Sequence, residues 1–220
     1  KVHKAGLTGL HWPTEYGGQG KTLVEHFIYG EEAGRAGAPV GINPIGRELL
    51  AGVLLHAGTE EQKRFYLPKI ASGEHVWCQG FSEPNSGSDL TSLKTNAYLK
   101  DGMWCINGTK IWTSYAQHAD FCFLLARTSK EDKKHKGISL LIVPMGEKGI
   151  TRRGIGQLDG TPDFNQVTFD DVMIPEGNVI GPVGRGWQTS SAVLAIERAT
   201  TRLYRQSLYV RELSDALRAN

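Results

Sequence analysis

The chain has 220 residues, a formal net charge of +2, 40% hydrophobic and 22% charged residues. That length can bury a substantial core in one large domain or two small ones, and a charge this close to neutral argues against nucleic acid as a partner. No apolar stretch is long enough to span a bilayer and no secretory signal opens the chain.

No methionine begins the chain, which reads as part of a longer one. Trp12-Pro13 and Gly17-Gly18-Gln19-Gly20 make a loop, and Thr22 then caps a helix with Glu25 three residues on completing a capping box. Leu23, Phe27 and Ile28 are expected to share its buried face. The helix should loosen near Gly34 and Gly37 and end at Pro39. A second helix starts with Asn43 as cap and Pro44 at its first position. It offers Leu49, Leu50, Val53 and Leu54 to the core and closes at Gly58. A third is capped by Thr59, with Glu60 and Glu61 suited to the positive end of the helix dipole and Gln62 completing a second capping box. Phe65, Tyr66 and Ile70 should face inward, and Gly73 ends it.

The period then changes. His75 to Cys78 reads as a buried strand that opens into Gln79-Gly80-Phe81-Ser82-Glu83-Pro84-Asn85-Ser86-Gly87-Ser88-Asp89. Such a strand exit can place hydroxyls and backbone N–H groups around a hydrogen-bond acceptor, or it can be a surface turn. It is neither a Walker loop nor a Rossmann turn, because Gly-Lys-Ser/Thr and the G-x-G-x-x-G spacing are missing. Thr95 to Lys100 alternates like a strand. Asp101-Gly102 and Asn107-Gly108 both read as hairpin turns, bracketing Met103 to Ile106 and leading to Thr109 to Trp112. Phe121 to Ala126, Ile138 to Val143 and Gln166 to Phe169 are further strands, so residues 75 to 183 are expected to form an antiparallel β domain. The basic run Lys130 to Lys136 lies between strands, with acids interspersed, and reads as a solvated loop. Cys78, Cys105 and Cys122 are far apart with no C-x-x-C and read as reduced core thiols. The seven histidines have no metal-ligand spacing, so no metal site is expected. Gly184-Arg185-Gly186-Trp187 leads into a final helical pattern with Val193, Leu194, Ile196, Leu203, Leu208, Val210 and Leu213 apolar. The fold class is therefore α+β and multidomain.

Three motifs stand in order: Phe81 to Asp89; Asn107-Gly108-Thr109-Lys110-Ile111-Trp112-Thr113-Ser114; and Phe169-Asp170-Asp171-Val172-Met173-Ile174-Pro175 through Gly186-Trp187 to Glu197-Arg198. Together with Gly58-Thr59-Glu60-Glu61-Gln62-Lys63 they resemble the acyl-CoA dehydrogenase family over nearly the whole chain. Gln117-His118-Ala119-Asp120 is similar to bacterial members acting on dicarboxylic or sterol side-chain acyl-CoAs. The resemblance implies three parts. Residues 1–73 would end an N-terminal helical domain, 74–184 would be the middle β domain binding flavin and acyl-CoA, and 185–220 would begin a C-terminal helical bundle.

It also implies FAD, α,β-dehydrogenation of an acyl-CoA thioester, an electron-transfer flavoprotein as acceptor, and a homo- or hetero-oligomer, dimer or tetramer. The location would be the bacterial cytoplasm, or the mitochondrial matrix in a eukaryote. Carried over position by position, Gln79, Phe81, Ser82, Ser88, Trp112, Thr113 and Ser114 would hold the flavin. Ser82 would serve the pyrimidine side, Trp112 would lie against the ring and Ser114 near N5. Ser88 and Arg198 would also serve the substrate. Read without the family, Trp112 is a core aromatic and Glu197 a solvated partner of Arg198. With it, Glu197 is the base that takes the α proton, its pKa raised by burial. Many relatives carry an acidic residue where this chain has Ala195, and no Arg-x-x-Phe-Gly motif occurs before Asn220. Gly30, Gly34, Gly37 and Ala38 either open a roomy acyl pocket or simply end a helix. An acyl-CoA oxidase on the same fold and a non-catalytic subunit of a heteromeric dehydrogenase are the alternative readings.

Overall fold

A computed structural model describes residues 1–38, 41, 43–191 and 203–219. Pro39, Ala195, Glu197 and Arg198 lie outside the described residues.

Helix α1 (Leu23–Arg35) starts at the anticipated capping box, with the Glu25 N–H donating to Thr22 Oγ1 at 3.2 Å and the Thr22 N–H donating to Glu25 Oε2 at 2.8 Å. It runs through Gly30 and Gly34 to Arg35. The expected buried face is not there: Leu23 and Ile28 are exposed and Phe27 is only half-buried. A capping box reports where a helix begins, not what covers it. α1 lies beside the last helix, α4 (Leu203–Arg218), where Arg211 reaches Glu31 at 3.3 Å.

Pro44 opens the second helical segment, wound as a π-helix over Ile45–Leu50 and continuing as α2 (Ala51–Ala57). Leu49, Leu50, Val53 and Leu54 are buried as expected. Asn43 does more than cap. Its Oδ1 accepts from the N–H groups of Gly46 (3.3 Å) and Trp77 (3.0 Å), and its Nδ2 donates to the His75 carbonyl at 2.7 Å. The helix start is thereby tied to the first strand. α3 (Glu60–Ser72) has the Thr59–Gln62 capping box and ends at Gly73 in the left-handed region, φ 81°. Ile70 is buried, Tyr66 is half-buried, and Phe65 is exposed, its ring carrying Lys69 Nζ at 4.2 Å instead of packing inward.

The strands are β1 (Trp77–Gly80), β2 (Asn96–Lys100), β3 (Met103–Ser114), β4 (Phe121–Arg127), β5 (Ile138–Pro144), β6 (Ile150–Ile155), β7 (Phe164–Pro175) and β8 (Val179–Ile180). They form one sheet in the order β6-β7-β3-β2-β4-β5-β8, with β1 on β4. The sheet is mixed, not antiparallel throughout, because β1 and β2 both meet β4 in parallel. The continuous apolar runs of β4 and β5 follow from burial on both faces. One face carries Phe123, Leu125, Leu140 and Ile142 into a core shared with Leu50, Leu54, Leu67 and Ile70 of the helices. The other carries Cys122, Leu124, Leu141 and Val143 into a core with Ile106, Val167 and Phe169 of β3 and β7. Cys78, Cys105 and Cys122 are buried free thiols.

β6 and β8 were not anticipated from the sequence, and β7 is far longer than Gln166 to Phe169. Asp101 (φ 52°) and Gly102 (φ 76°) form the expected hairpin turn. Asn107-Gly108 does not turn. It sits inside β3, opposite a bulge in β7 where Asp171 has φ 48°. Asn107 Nδ2 donates to Asp171 Oδ1 at 2.9 Å and the Asp171 N–H returns to Asn107 Oδ1 at 3.0 Å. Gly108 is needed because a Cβ there would collide with the backbone and side chain of Thr95. Helical backbone resumes over 186–191. Among the described residues no helix is long and apolar enough to cross a membrane.

Candidate active site

Two chain exits meet at one end of the sheet. β1 leaves at Gly80 into Phe81, Ser82 and Glu83, and β3 ends at Trp112, Thr113 and Ser114. Three consecutive residues of the first exit are tied to two of the second. Lys110 Nζ donates to the Phe81 carbonyl at 3.0 Å and to Glu83 Oε1 at 2.9 Å, and the Ile111 N–H donates to the Ser82 carbonyl at 2.9 Å. Lys110 and Glu83 are buried, with side chains 0% and 7% exposed. The Glu83 carboxylate also accepts the N–H groups of Lys94 (2.7 Å) and Thr95 (2.8 Å).

Burial lowers the Lys110 pKa to about 8, opposed by Glu83. Burial pushes Glu83 up, but the Lys110 ammonium and the bonds from Thr95 and Lys94 outweigh it and hold the carboxyl below its ordinary value. The pair is thus ionised at neutral pH, with its lone pairs and protons largely satisfied, as a buried charge pair requires.

Beyond Lys110 the β3–β7 register slips. Lys110 pairs with Val167 and Thr113 with Asn165, so three steps on β3 face two on β7. The extra residue is absorbed at Ile111 and Trp112. Trp112 has φ 59°, as does Tyr115, a conformation uncommon for bulky residues and typically retained where function needs it. The bulge turns the indole outward, 57% exposed, its edge contact with the Phe164 ring at 6.1 Å between centroids. The core reading of Trp112 therefore fails.

Thr113 is buried and its Oγ1 has no hydrogen-bond partner among the described residues, while its carbonyl accepts from Asn165 Nδ2 at 3.3 Å. Ser114 keeps partial exposure at the strand end, paired with Phe164. Ser82 is also partly exposed, and neither serine hydroxyl has a hydrogen-bond partner among the described residues.

The structure thus brings Phe81, Ser82, Trp112, Thr113 and Ser114 to one place. Gln79 lies one turn of the pleat back on β1, half-buried on the same face as Trp77 and Phe81. Ser88 is exposed on the far arm of the loop. Its neighbour Asp89 anchors that arm. Ser92, Lys134 and Thr91 bind its carboxylate and hold its pKa at about 2. A cleft of about 390 Å³ is lined by Pro84, Ser86, Lys94, Asn107 and Thr109.

The sequence reading assigned no role to Lys110, Glu83, Asn165 or Gln117. Lys110 could have been found by parity. It shares the inward phase of Trp104 and Ile106, and a lysine facing a core needs a carboxylate.

An exposed indole held outward by a bulge, flanked by free hydroxyls and a short polar strand exit, fits a planar, hydrogen-bonding ring laid against the sheet end. Fold and site together define a helical unit joined to a β domain that presents an exposed indole at the end of its sheet. The chain belongs to the acyl-CoA dehydrogenase family. Residues 1–74 match the family's N-terminal domain and residues 78–172 its middle domain.

It is 45% identical over 215 residues to "Acyl-CoA dehydrogenase IpdE1" of Mycobacterium tuberculosis, covering 98% of this chain and 56% of that one. Among solved structures it resembles the ChsE4-ChsE5 complex of Mycobacterium tuberculosis, with 39% identity, a TM-score of 0.81, and coverage of 90% of this chain and 51% of that one. It also resembles the Tcur3481-Tcur3483 steroid ACAD, with 37% identity, a TM-score of 0.81, and coverage of 90% and 50%. The chain thus spans about half the length of the relatives it matches.

Proposed function

We propose that the full-length protein carrying this chain is an FAD-dependent acyl-CoA dehydrogenase, converting an acyl-CoA thioester to the trans-2-enoyl-CoA. The observation that carries this reading is Trp112. A bulky aromatic is held exposed at positive φ, next to Ile111, whose N–H holds the Ser82 carbonyl, and two residues before Ser114. In this reading Trp112 lies against the flavin ring, Ser82 donates on its pyrimidine side and Ser114 near N5. Gln79, Phe81 and Thr113 complete the wall. Ser88 serves both the cofactor and the CoA arm, and Arg198 serves the substrate. Bound FAD supplies the acceptor for the hydride that leaves the β carbon. Glu197 takes the α proton, so the C–H electrons left at the α carbon form the new double bond. Desolvation beside the ring raises the Glu197 pKa and matches it to that proton.

Residues 1–73 and 74–184 form the helical and β domains of this enzyme, and 185–220 begin its C-terminal bundle. The names of the relatives support a bulky, steroid-like acyl group, and Gly30 and Gly34 on α1 keep one helix free of side-chain bulk there. An electron-transfer flavoprotein is the acceptor, and the enzyme is an oligomer working in the cytoplasm.

The test is a visible spectrum of the purified full-length protein, then anaerobic bleaching by a panel of acyl-CoAs for wild type and Glu197→Gln. A bleached wild type and a variant slowed by orders of magnitude support the assignment. Equal bleaching moves the base elsewhere, and a preference for butyryl-CoA sinks the bulky-substrate reading. Rapid oxygen consumption during turnover would make the enzyme an oxidase. The two-chain ChsE4-ChsE5 relative favours one further reading, a partner subunit that binds without reacting. A colourless protein would support it.

A further inference from the structure

We infer that Lys110 is a positioning residue that keys the two halves of the flavin wall into one preorganised unit, with Glu83 as its counter-charge. The inference deepens the flavin reading above and rests on it. The two halves come from strands that are not hydrogen-bonded to each other in the sheet: β1 pairs with β4, and β3 with β2 and β7. Nothing in the strand ladder fixes the Phe81–Glu83 exit relative to Trp112. The Lys110 side chain does so. One ammonium binds the carbonyl before Ser82 (3.0 Å) and the carboxylate after it (2.9 Å), and the next residue, Ile111, holds the carbonyl of Ser82 itself (2.9 Å).

Glu83 extends the clamp to the loop's return, through the N–H groups of Lys94 and Thr95. Ser82 is therefore fixed on both sides along the chain, one residue from the bulge that presents Trp112. Both charged side chains are buried, 0% and 7% exposed, so Lys110 acts through Phe81, Ser82 and Glu83 and not by touching the ring.

A buried ion pair serving only the core would be replaceable, both partners together, by uncharged residues of similar volume without loss. A lysine that sets the spacing of the wall would not, since misplacement of a binding group by about an ångström costs orders of magnitude in function.

The experiment compares the full-length wild type with Lys110→Met and with the double variant Lys110→Met/Glu83→Gln, which removes both charges and keeps the volume. FAD is titrated into the apoproteins, and the flavin midpoint potential and the thermal midpoint are measured alongside. The expected result is an FAD Kd raised about tenfold or more and a shifted potential in the folded double variant. A double variant with wild-type Kd and potential, whatever its thermal midpoint, overturns the inference and leaves the flavin reading standing. A wild type that takes up no FAD overturns both.

Hydrogen exchange on the wild-type apoprotein covers the case in which neither variant folds. A slowly exchanging Ile111 amide supports a wall assembled before FAD arrives. An Ile111 amide that exchanges freely without FAD and is protected only with it overturns the inference.

Discussion

Asn165 of β7 reaches Gln117 Oε1 at 2.5 Å while its Nδ2 also donates to the Thr113 carbonyl at 3.3 Å. The residue is buried and stands opposite Thr113 where the register slips. It thus bridges the end of β3 to the short helical turn that follows, and the bulge presenting Trp112 lies immediately before the first of these anchors. Asn165→Ala leaves the Gln117 oxygen and the Thr113 carbonyl without this donor, which costs about 1–3 kcal/mol. Urea unfolding should show that loss. Acrylamide quenching of the Trp112 emission, isolated by difference against Trp112→Phe, should change below the unfolding transition. Unchanged quenching would mean that the bulge holds without Asn165.

Gly80 links Gln79 to Phe81 where β1 crosses the core. A Cβ there would stand 2.7 Å from Leu124 Cδ1 and 2.9 Å from Cys122 Sγ, both in a buried layer. Gly80→Ala should therefore destabilise by about 1–3 kcal/mol through overpacking. The strand exit moves with it, so FAD affinity should fall in the folded fraction. Thermal unfolding and an FAD titration check the two parts, and a fully wild-type Gly80→Ala would refute both.

Much of this architecture is readable locally. The Thr22–Glu25 and Thr59–Gln62 capping boxes mark helix starts because every partner lies within four residues. β4 and β5 announce themselves as unbroken apolar runs because both faces are covered. What fails depends on distant partners. Leu23 and Ile28 have helical spacing, but among the described residues α1 packs chiefly beside α4 and not on the sheet. Asn107-Gly108 has the composition of a turn, and only Asp171, 64 residues on, shows that it stays in strand. Parallel pairing of β1 with β4 is invisible to a reading that joins neighbours by hairpins. At the site, Ser82 and Trp112 are assigned from their motifs alone. The Lys110–Glu83 clamp and the Asn165 bridge are not, because their meaning lies in contacts 27 and 52 residues apart.

Acid should weaken this protein through His11. Burial, then the neighbouring His26 ring at 4.5 Å, push the His11 pKa down from 6.5 to about 4, and its Nδ1 has no partner. His26 is lowered too, by burial and by Arg47. Between these values the unfolded chain binds the proton and the folded chain does not, so stability rises with pH across the window. The contribution is complete above about pH 6.5 and is lost as pH falls toward 4, on the order of 1 kcal/mol after allowing for the ring's partial exposure. Urea midpoints at several pH values through that range should fall in wild type and flatten in His11→Phe. Parallel pH profiles would exclude His11 as the source.

Trp112 offers the sharpest separation of fold from function. A tryptophan in the core costs about 3–5 kcal/mol when truncated, and Trp77, 1% exposed against Phe121 and Tyr66, should behave that way. Trp112 should not. It is 57% exposed, touches Phe164 edge-on, and holds φ at 59°, a conformation that costs a non-glycine residue roughly 1 kcal/mol. Trp112→Gly removes an aromatic contact of about 0.5–1.5 kcal/mol and relieves a backbone strain of similar size. Its unfolding free energy should therefore stay within about 1 kcal/mol of wild type. Flavin binding by the same variant should collapse, because the stacking surface is gone. Equilibrium unfolding and an FAD titration on one preparation decide it. A large stability loss would return Trp112 to a structural role, and retained FAD affinity would remove it from the flavin wall.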